Sequence, residues 1–211
     1  MLQINIKKKA FGNKIVLQDI NLSITGNGIY GVVGKNGEGK TTFFKIISTL
    51  LDFQGTISYD NKPVKHNEIA FFPTEVPIYD ELTVDEFSSF YKELLNLKAE
   101  NKQNLFDVPQ DKLIKTFSTG MKKKAYMNAV FQKEYSIYIF DEPFNGLDLE
   151  SNYLLMNYIR ELSKNSIILI SSHILEILYK DCDKIILIKN TAIKEFEKQE
   201  FLKIENELFM K

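Results

Sequence analysis

Nine consecutive residues, Gly34-Lys-Asn-Gly-Glu-Gly-Lys-Thr-Thr42, constrain this chain more than any other stretch. Gly34, Gly39, Lys40 and Thr41 fall on the spacing G-x-x-x-x-G-K-[ST]. Ahead of them, Gly28-Ile-Tyr-Gly-Val-Val33 is an apolar run of strand length. Behind them, Thr42-Phe-Phe-Lys-Ile-Ile-Ser-Thr-Leu-Leu51 repeats its apolar residues with the spacing of a helix buried on one face. A loop flanked in this way turns a strand into a helix, whose N-terminus leaves unpaired N–H groups and about half a positive charge pointing into the loop. The glycines let the backbone wrap an anion closely, so polyphosphate is the expected occupant, with Asn36, Gly37 and Thr42 completing the cradle. Lys40 is placed to reach the β- and γ-phosphates, and the Thr41 hydroxyl to ligate Mg²⁺. A glycine-rich turn that binds nothing is the alternative, and the strand and helix on either side argue against it.

At 211 residues the chain is long enough for one well-buried core with a subdomain inserted in it, and short for two independent domains. Its 26% charged and 44% hydrophobic residues are ordinary for a globular protein, and a formal net charge of −1 gives no general footprint for nucleic acid. No run approaches the roughly 18 to 20 apolar residues of a membrane span, and the opening MLQINIKKKAF lacks the apolar stretch of a signal peptide, so a cytoplasmic location is expected. A single cysteine, Cys182, excludes an internal disulfide framework and reads as a small packed side chain, while two histidines make a zinc cluster improbable.

Leu2-Gln-Ile-Asn-Ile6 and Ile20-Asn-Leu-Ser-Ile24 both alternate apolar with polar residues, as strands of a half-exposed antiparallel sheet do. Between them Phe11-Gly12 forms a turn carrying a ring. If that turn faces the phosphate loop, Phe11 can stack on an adenine base; otherwise it covers the sheet edge. Gln54–Tyr59 and Glu68–Phe72 read as two further strands joined by a polar turn that holds Pro63 and a solvated His66. From Thr83 to about Lys133 the pattern is helical: Thr83-Val-Asp-Glu86 is a capping-box signal, Leu113–Phe117 is placed on a second helix, and Ser118 opens a third. The run Lys122-Lys-Lys124 in that third helix reads as a solvated face.

Ile137-Tyr-Ile-Phe140 is apolar and too short for a helix, and it runs directly into Asp141-Glu142-Pro143. Two adjacent carboxylates at the end of a buried strand need a reason. At the C-terminal edge of a parallel sheet beside a phosphate loop, Mg²⁺ and water supply it. Glu150–Ser163 follows as an amphipathic helix, Ile167–Ile170 as a buried strand with Ser171-Ser-His173 at its exit, and Lys184–Lys189 and Ala192–Phe196 as strands. A short helix from about Gln199 to Met210 closes the chain. Strands and helices alternating around a phosphate loop give an α/β core, with an antiparallel sheet before it and a helical insertion within it.

Taken in order, these stretches resemble the ATP-binding domain of ABC transporters over essentially the full chain. Phe117-Ser-Thr-Gly-Met121 is similar to the family signature L-S-G-G-Q, Ile137–Glu142 to its Walker B strand, Asn145-Gly-Leu-Asp148 to its D-loop and Ser171-Ser-His173 to its switch. The resemblance implies one domain over residues 1–211, a P-loop NTPase core with its N-terminal antiparallel β subdomain at about 1–75 and 134–211, and a helical insertion at about 76–133. It also implies ATP and Mg²⁺ held between two such domains closed head to tail, identical or paralogous. Ser118 and the Gly120 N–H then approach the γ-phosphate from the opposite chain. Asp141 holds Mg²⁺ through water beside Thr41, Glu142 is the general base and His173 contacts the γ-phosphate. Asp148 carries contacts across the dimer, and Phe11 becomes the adenine-stacking residue.

The residues also depart from the family pattern. Phe72-Pro-Thr-Glu75 places Thr74, with Glu75 beside it, where the family usually has Gln; Thr119 replaces the first signature Gly and Met121 the Gln. The S-x-G-M-K form is similar to that of bacterial exporters of drugs and antimicrobial peptides. The expectation is therefore the ATP-hydrolysing subunit of an exporter, peripheral on the cytoplasmic face of the cell membrane, driving a separate transmembrane permease without binding nucleic acid. A non-transport ABC ATPase acting on ribosomes or DNA is the alternative, and a small-molecule P-loop kinase a more distant one.

Overall fold

The computed structural model describes residues 1–97 and 103–209. Its layers follow from where the apolar residues fall. Strands β1 (Leu2–Phe11) and β2 (Lys14–Ile24) pair antiparallel with Leu2 opposite Ile24, and β1 also pairs with β4 (Gln54–Tyr59). A two-residue strand, β5 (Lys62–Pro63), completes a four-stranded sheet ordered β2-β1-β4-β5, where Pro63 sits on the edge and needs no ladder N–H.

The second sheet has six strands, ordered β10 (Ala192–Glu197), β9 (Lys184–Lys189), β3 (Gly28–Val33), β8 (Ile167–Ser171), β7 (Ile137–Phe140) and β6 (Ile69–Phe72). All its pairings are parallel except that of β10 with β9. Its central strands are buried on both faces, as the unbroken apolar runs require. Alternate residues of β7 and β8 serve different cores: Ile137, Ile139, Ile167 and Leu169 face one, Tyr138, Phe140, Ile168 and Ile170 the other.

Helix α1 (Lys40–Ile47) lies between the two sheets, its Phe43, Phe44, Ile46 and Ile47 packed with Leu2, Ile4 and Ile6 of β1 and Val32 of β3. It stops short of the expected Leu51. Thr49 turns left-handed at φ 58, and the N–H groups of Thr49 and Leu50 return to the carbonyls of Ile46 and Lys45, a Schellman closure.

The opposite face carries α3 (Thr119–Val130), α4 (Leu149–Ser163), α5 (Leu175–Asp181) and α6 (Leu202–Phe209), of which α5 was not anticipated. The closing helix ends at Phe209; Met210 lies outside the described residues.

Against α3 packs α2 (Val84–Leu94), opened by the expected capping box of Thr83 and Glu86. It leans on α3 through Tyr91 and Tyr126, whose rings meet edge to face at 5.9 Å. The buried Asn128 side chain ties the intervening chain down by bonding both the N–H and the carbonyl of Phe106. Part of the expected helical stretch, residues 98–102, lies outside the described residues.

Three further expectations are corrected. The strands Gln54–Tyr59 and Ile69–Phe72 are not neighbours; they belong to different sheets. The segment Leu113–Phe117 makes a single 3₁₀ turn, Ile114–Thr116, because Leu113 bridges to Thr83 and the Ile114 N–H is taken by Leu82. His66 is exposed, as expected, with its ring within hydrogen-bond distance of the Thr49 hydroxyl. The lysine run is not a solvated face: Lys123 is buried, while Lys122 and Lys124 reach Asp80 and Asp148, each at 2.6 Å.

Candidate active site

The phosphate loop leaves β3 at the C-terminal edge of the parallel sheet, and its last residue caps α1. Gly39 adopts φ 109, and a side chain there would press on Val16, so glycine is required on both counts. No side chain caps α1 at its N-terminus, which leaves its first N–H groups directed at the loop. Lys40 is turned back onto that loop, donating to the Gly34 carbonyl at 2.7 Å. Burial lowers its pKa, against the opposing pull of Glu142, Asp141 and Glu38. Phosphate oxygens would replace a neutral carbonyl by charged acceptors for this ammonium.

Across the loop, β7 delivers Asp141 and Glu142 at its end. The Asp141 carboxylate is 1% exposed and bonded at both oxygens: Thr41 Oγ1 donates to Oδ2 at 2.7 Å and Ser171 Oγ to Oδ1 at 2.8 Å. The Ser171 hydroxyl in turn accepts the Glu142 N–H at 2.9 Å, so the end of β8 fixes both acidic residues. Glu142 adopts φ 52, a sparsely populated conformation for a residue with a Cβ. Its side chain is 6% exposed. Oε2 accepts the His173 N–H at 3.1 Å; Oε1 stands 3.3 Å from His173 Nε2 and makes no hydrogen bond among the described residues. Burial raises the Glu142 pKa, while His173 and Lys40 pull it back. A buried carboxylate with one free oxygen and a raised pKa can accept a proton from a water held in front of it.

These groups share one cleft of about 420 Å³. Phe11, Asn36, Gly37, Gly39, Lys40, Thr41, Thr42, Asp141, Glu142 and His173 all line it, so the structure brings together most of the residues anticipated from sequence. The Phe11 ring is 51% exposed, with Lys9 Nζ over it at 4.7 Å. Lys14 and Val16 join the lining without having been singled out, as does Asn145, which the sequence placed only at the start of the stretch similar to the D-loop. Thr74 lines it too and donates to the Asp141 carbonyl, whereas Glu75 lines a separate groove and is not a ligand candidate here.

Ser118, Gly120 and Asp148 do not line this cleft. Ser118 is the exposed N-cap of α3, its hydroxyl accepting the Met121 N–H. Gly120 is buried where a Cβ would collide with the Gly146 carbonyl oxygen, so α3 packs directly on the backbone of the loop after Glu142. Asp148 caps α4 through the Ser151 N–H at 2.8 Å, and its bond to Lys124 helps hold its carboxyl well below the usual range. Among the described residues no group of three or more His, Cys, Asp or Glu side chains could hold a metal ion. The hydroxyl of Thr41 and the carboxylate of Asp141 are nevertheless hard oxygen donors set side by side, and they suit Mg²⁺ once phosphate oxygens complete the set.

Lys123 is the residue that sequence reasoning misplaced. It is 2% exposed, and its Nζ donates to the carbonyls of Glu142, Pro143 and Asn145. The signal was weak: three lysines in a row spread over about 200° of a helix, and nothing local says which one turns inward.

Residues 17–145 match the family model for "ABC transporter". The chain is 28% identical to the ABC transporter ATP-binding protein YtrB of Bacillus subtilis, over 97% of this chain and 76% of that protein. It is 29% identical to the linearmycin resistance ATP-binding protein LnrL of the same organism, over 88% of this chain and 65% of that protein. The solved structure of an ATP-binding subunit of an ABC transporter superposes with a TM-score of 0.86 at 25% identity, covering 100% of this chain and 95% of that one. The mixed α/β architecture is that of a P-loop NTPase.

Proposed function

The chain belongs to the ABC transporter ATP-binding family, whose members bind and hydrolyse ATP for transport, and from that premise we propose that it powers export by closing head to tail on a second such subunit. One observation carries the dimer: the phosphate cleft is lined by the loop, the carboxylates and His173, while Ser118 lies elsewhere and exposed at a helix N-terminus. Each copy thus has a cradle lacking a second wall and a helix end suited to supply one. In this reading the chain is a single ATP-binding domain, with about 76–133 as its helical arm.

ATP enters with its phosphates on the N–H groups of the loop and of α1, and Lys40 swings from the Gly34 carbonyl to the β- and γ-phosphates. Thr41 and Asp141 hold Mg²⁺, which supplies neutralisation of phosphate charge. Ser118 and the Gly120 N–H of the second copy reach the γ-phosphate, with Asp148 at the seam. Glu142 takes the proton of the attacking water as the bond from the γ-phosphorus to the bridging oxygen breaks and ADP leaves, and His173 steadies Glu142 and the γ-phosphate.

Phe11 stacks on the adenine. Its replacement by Ala is expected to remove about 1 to 3 kcal/mol of ATP affinity, roughly fivefold to more than a hundredfold. Calorimetry with ATP and with inorganic tripolyphosphate checks this: the first weakens and the second is unchanged.

Among the described residues no helix is long and apolar enough to cross a membrane. In keeping with the likeness to ATP-binding proteins of ABC transporters, the transport path in this reading belongs to a separate permease. It docks in the groove of about 450 Å³ between the β6 edge and the helical arm, lined by Phe71, Glu75, Tyr91 and Tyr126 among others, and holds the subunit at the cytoplasmic face. The Ser-Thr-Gly-Met signature and the likeness to a linearmycin resistance protein favour export of drugs or peptides. Coexpression with any membrane protein encoded beside it tests the assignment. Copurification with stimulated ATP turnover is expected; a dimer that hydrolyses ATP alone and captures no membrane protein would contradict it.

A further inference from the structure

Lys123 carries an ammonium into a site that is 2% exposed, and the side chain ends among backbone carbonyls of a single turn. Nζ donates to Glu142 O at 3.2 Å, to Pro143 O at 3.5 Å and to Asn145 O at 2.8 Å. An ammonium has three donors and no acceptor, so these carbonyls take its full complement. Burial lowers the Lys123 pKa, and the carboxylates of Glu142 and Asp141 favour the charged form.

The turn it holds is the unusual one. Glu142 is left-handed at φ 52, and Gly146 follows at φ 80. Ser171 holds the Glu142 N–H, but its carbonyl and those of Pro143 and Asn145 converge on one point, and such convergence is repulsive unless a cation fills it. Two further contacts fasten the same helix to the same loop: Gly120 on the Gly146 backbone and Lys124 on Asp148.

We propose that Lys123 is a positioning residue for ATP hydrolysis, its ammonium gathering the carbonyls of Glu142, Pro143 and Asn145 so that the Glu142 carboxylate is held in the conformation that faces the γ-phosphate. This rests on Glu142 being the general base. Since Lys123 and Ser118 share α3, the helix end offered to one nucleotide also sets the base that acts on the other.

Steady-state hydrolysis and ATP affinity of the full chain test this with Lys123→Met, which keeps the length and loses the charge, Lys123→Arg, which keeps charge and donors, and Glu142→Gln as reference. Displacing a reacting group by about 1 Å costs up to roughly 10²-fold, so Lys123→Met is expected to lower kcat by about 10- to 100-fold with the ATP dissociation constant little changed. Lys123→Arg is expected to restore most of the turnover. If Lys123→Met does not fold, Lys123→Gln, which keeps an amide donor but no charge, is read the same way and must also lose kcat selectively. Full turnover in the uncharged variant, with Glu142→Gln inactive, overturns the role of Lys123 alone, as does an Arg variant no better than Met. Turnover retained by Glu142→Gln overturns the assignment of the base beneath it.

Discussion

Glu142→Gln is expected to lower the rate of ATP hydrolysis by about 10²- to 10⁴-fold, the usual contribution of a general base, while leaving ATP binding intact. The amide keeps the shape of the side chain and an oxygen for the His173 N–H, so what it removes is proton acceptance. Single-turnover measurement of ADP formation checks the rate, and equilibrium binding checks the affinity.

The same substitution carries a stability signature of definite sign. Burial raises the pKa of Glu142 in the folded chain, so the ionised side chain is disfavoured there relative to the unfolded chain. Below the unfolded pKa, near 4.3 for a free Glu, both states are protonated and the penalty is absent. As pH rises through the folded value the penalty grows and then levels off. Glu142→Gln should therefore unfold at a higher temperature than the parent protein at neutral pH, with the gain vanishing in acid. Turnover of the parent protein should fall on its acid side at a pH above that of an ordinary glutamate. Thermal melts and rate profiles across pH 4–8 measure both.

Lys40→Ala acts earlier in the cycle. Removing a charge-assisted hydrogen bond of about 1.5 to 3 kcal/mol is expected to weaken ATP binding roughly ten- to a hundredfold. Folding should suffer little, because the Gly34 carbonyl that Lys40 contacts lies in a loop with access to water. Calorimetric titration with ATP measures the effect, and unchanged affinity would remove Lys40 from the site.

The site was legible wherever its chemistry is local. The strand, glycine turn and helix around Gly34–Thr42 are contiguous in the chain, and the carboxylates follow directly on the strand that positions them, so spacing alone brought Lys40, Thr41, Asp141 and Glu142 into view, whereas His173 came into view only through the resemblance to the ABC family. What distance along the chain hides was missed. Ser171 bonds both Asp141 and Glu142 thirty or so residues away, and Lys123 finds its carbonyls about twenty residues downstream. Neither bond leaves a mark on periodicity.

The fold shows the same division. The alternation of Leu2–Ile6 and Ile20–Ile24 named an antiparallel pair correctly, since each strand carries its own pattern. Strand character in Gln54–Tyr59 and Ile69–Phe72 was equally plain, but sheet membership was not, because it depends on β1 and β7 as partners. At Leu113–Phe117 apolar residues fall at helical spacing by coincidence. The bridge to Thr83 takes the backbone groups a longer helix would need.

In this reading binding belongs to one chain and hydrolysis to two. The most direct measurement is the solution mass of Glu142→Gln, by analytical ultracentrifugation with and without Mg-ATP. Twice the monomer mass with Mg-ATP, returning to the monomer when Ser118→Arg is added, is the expected result. A Glu142→Gln protein that binds ATP and remains monomeric at every concentration would contradict it.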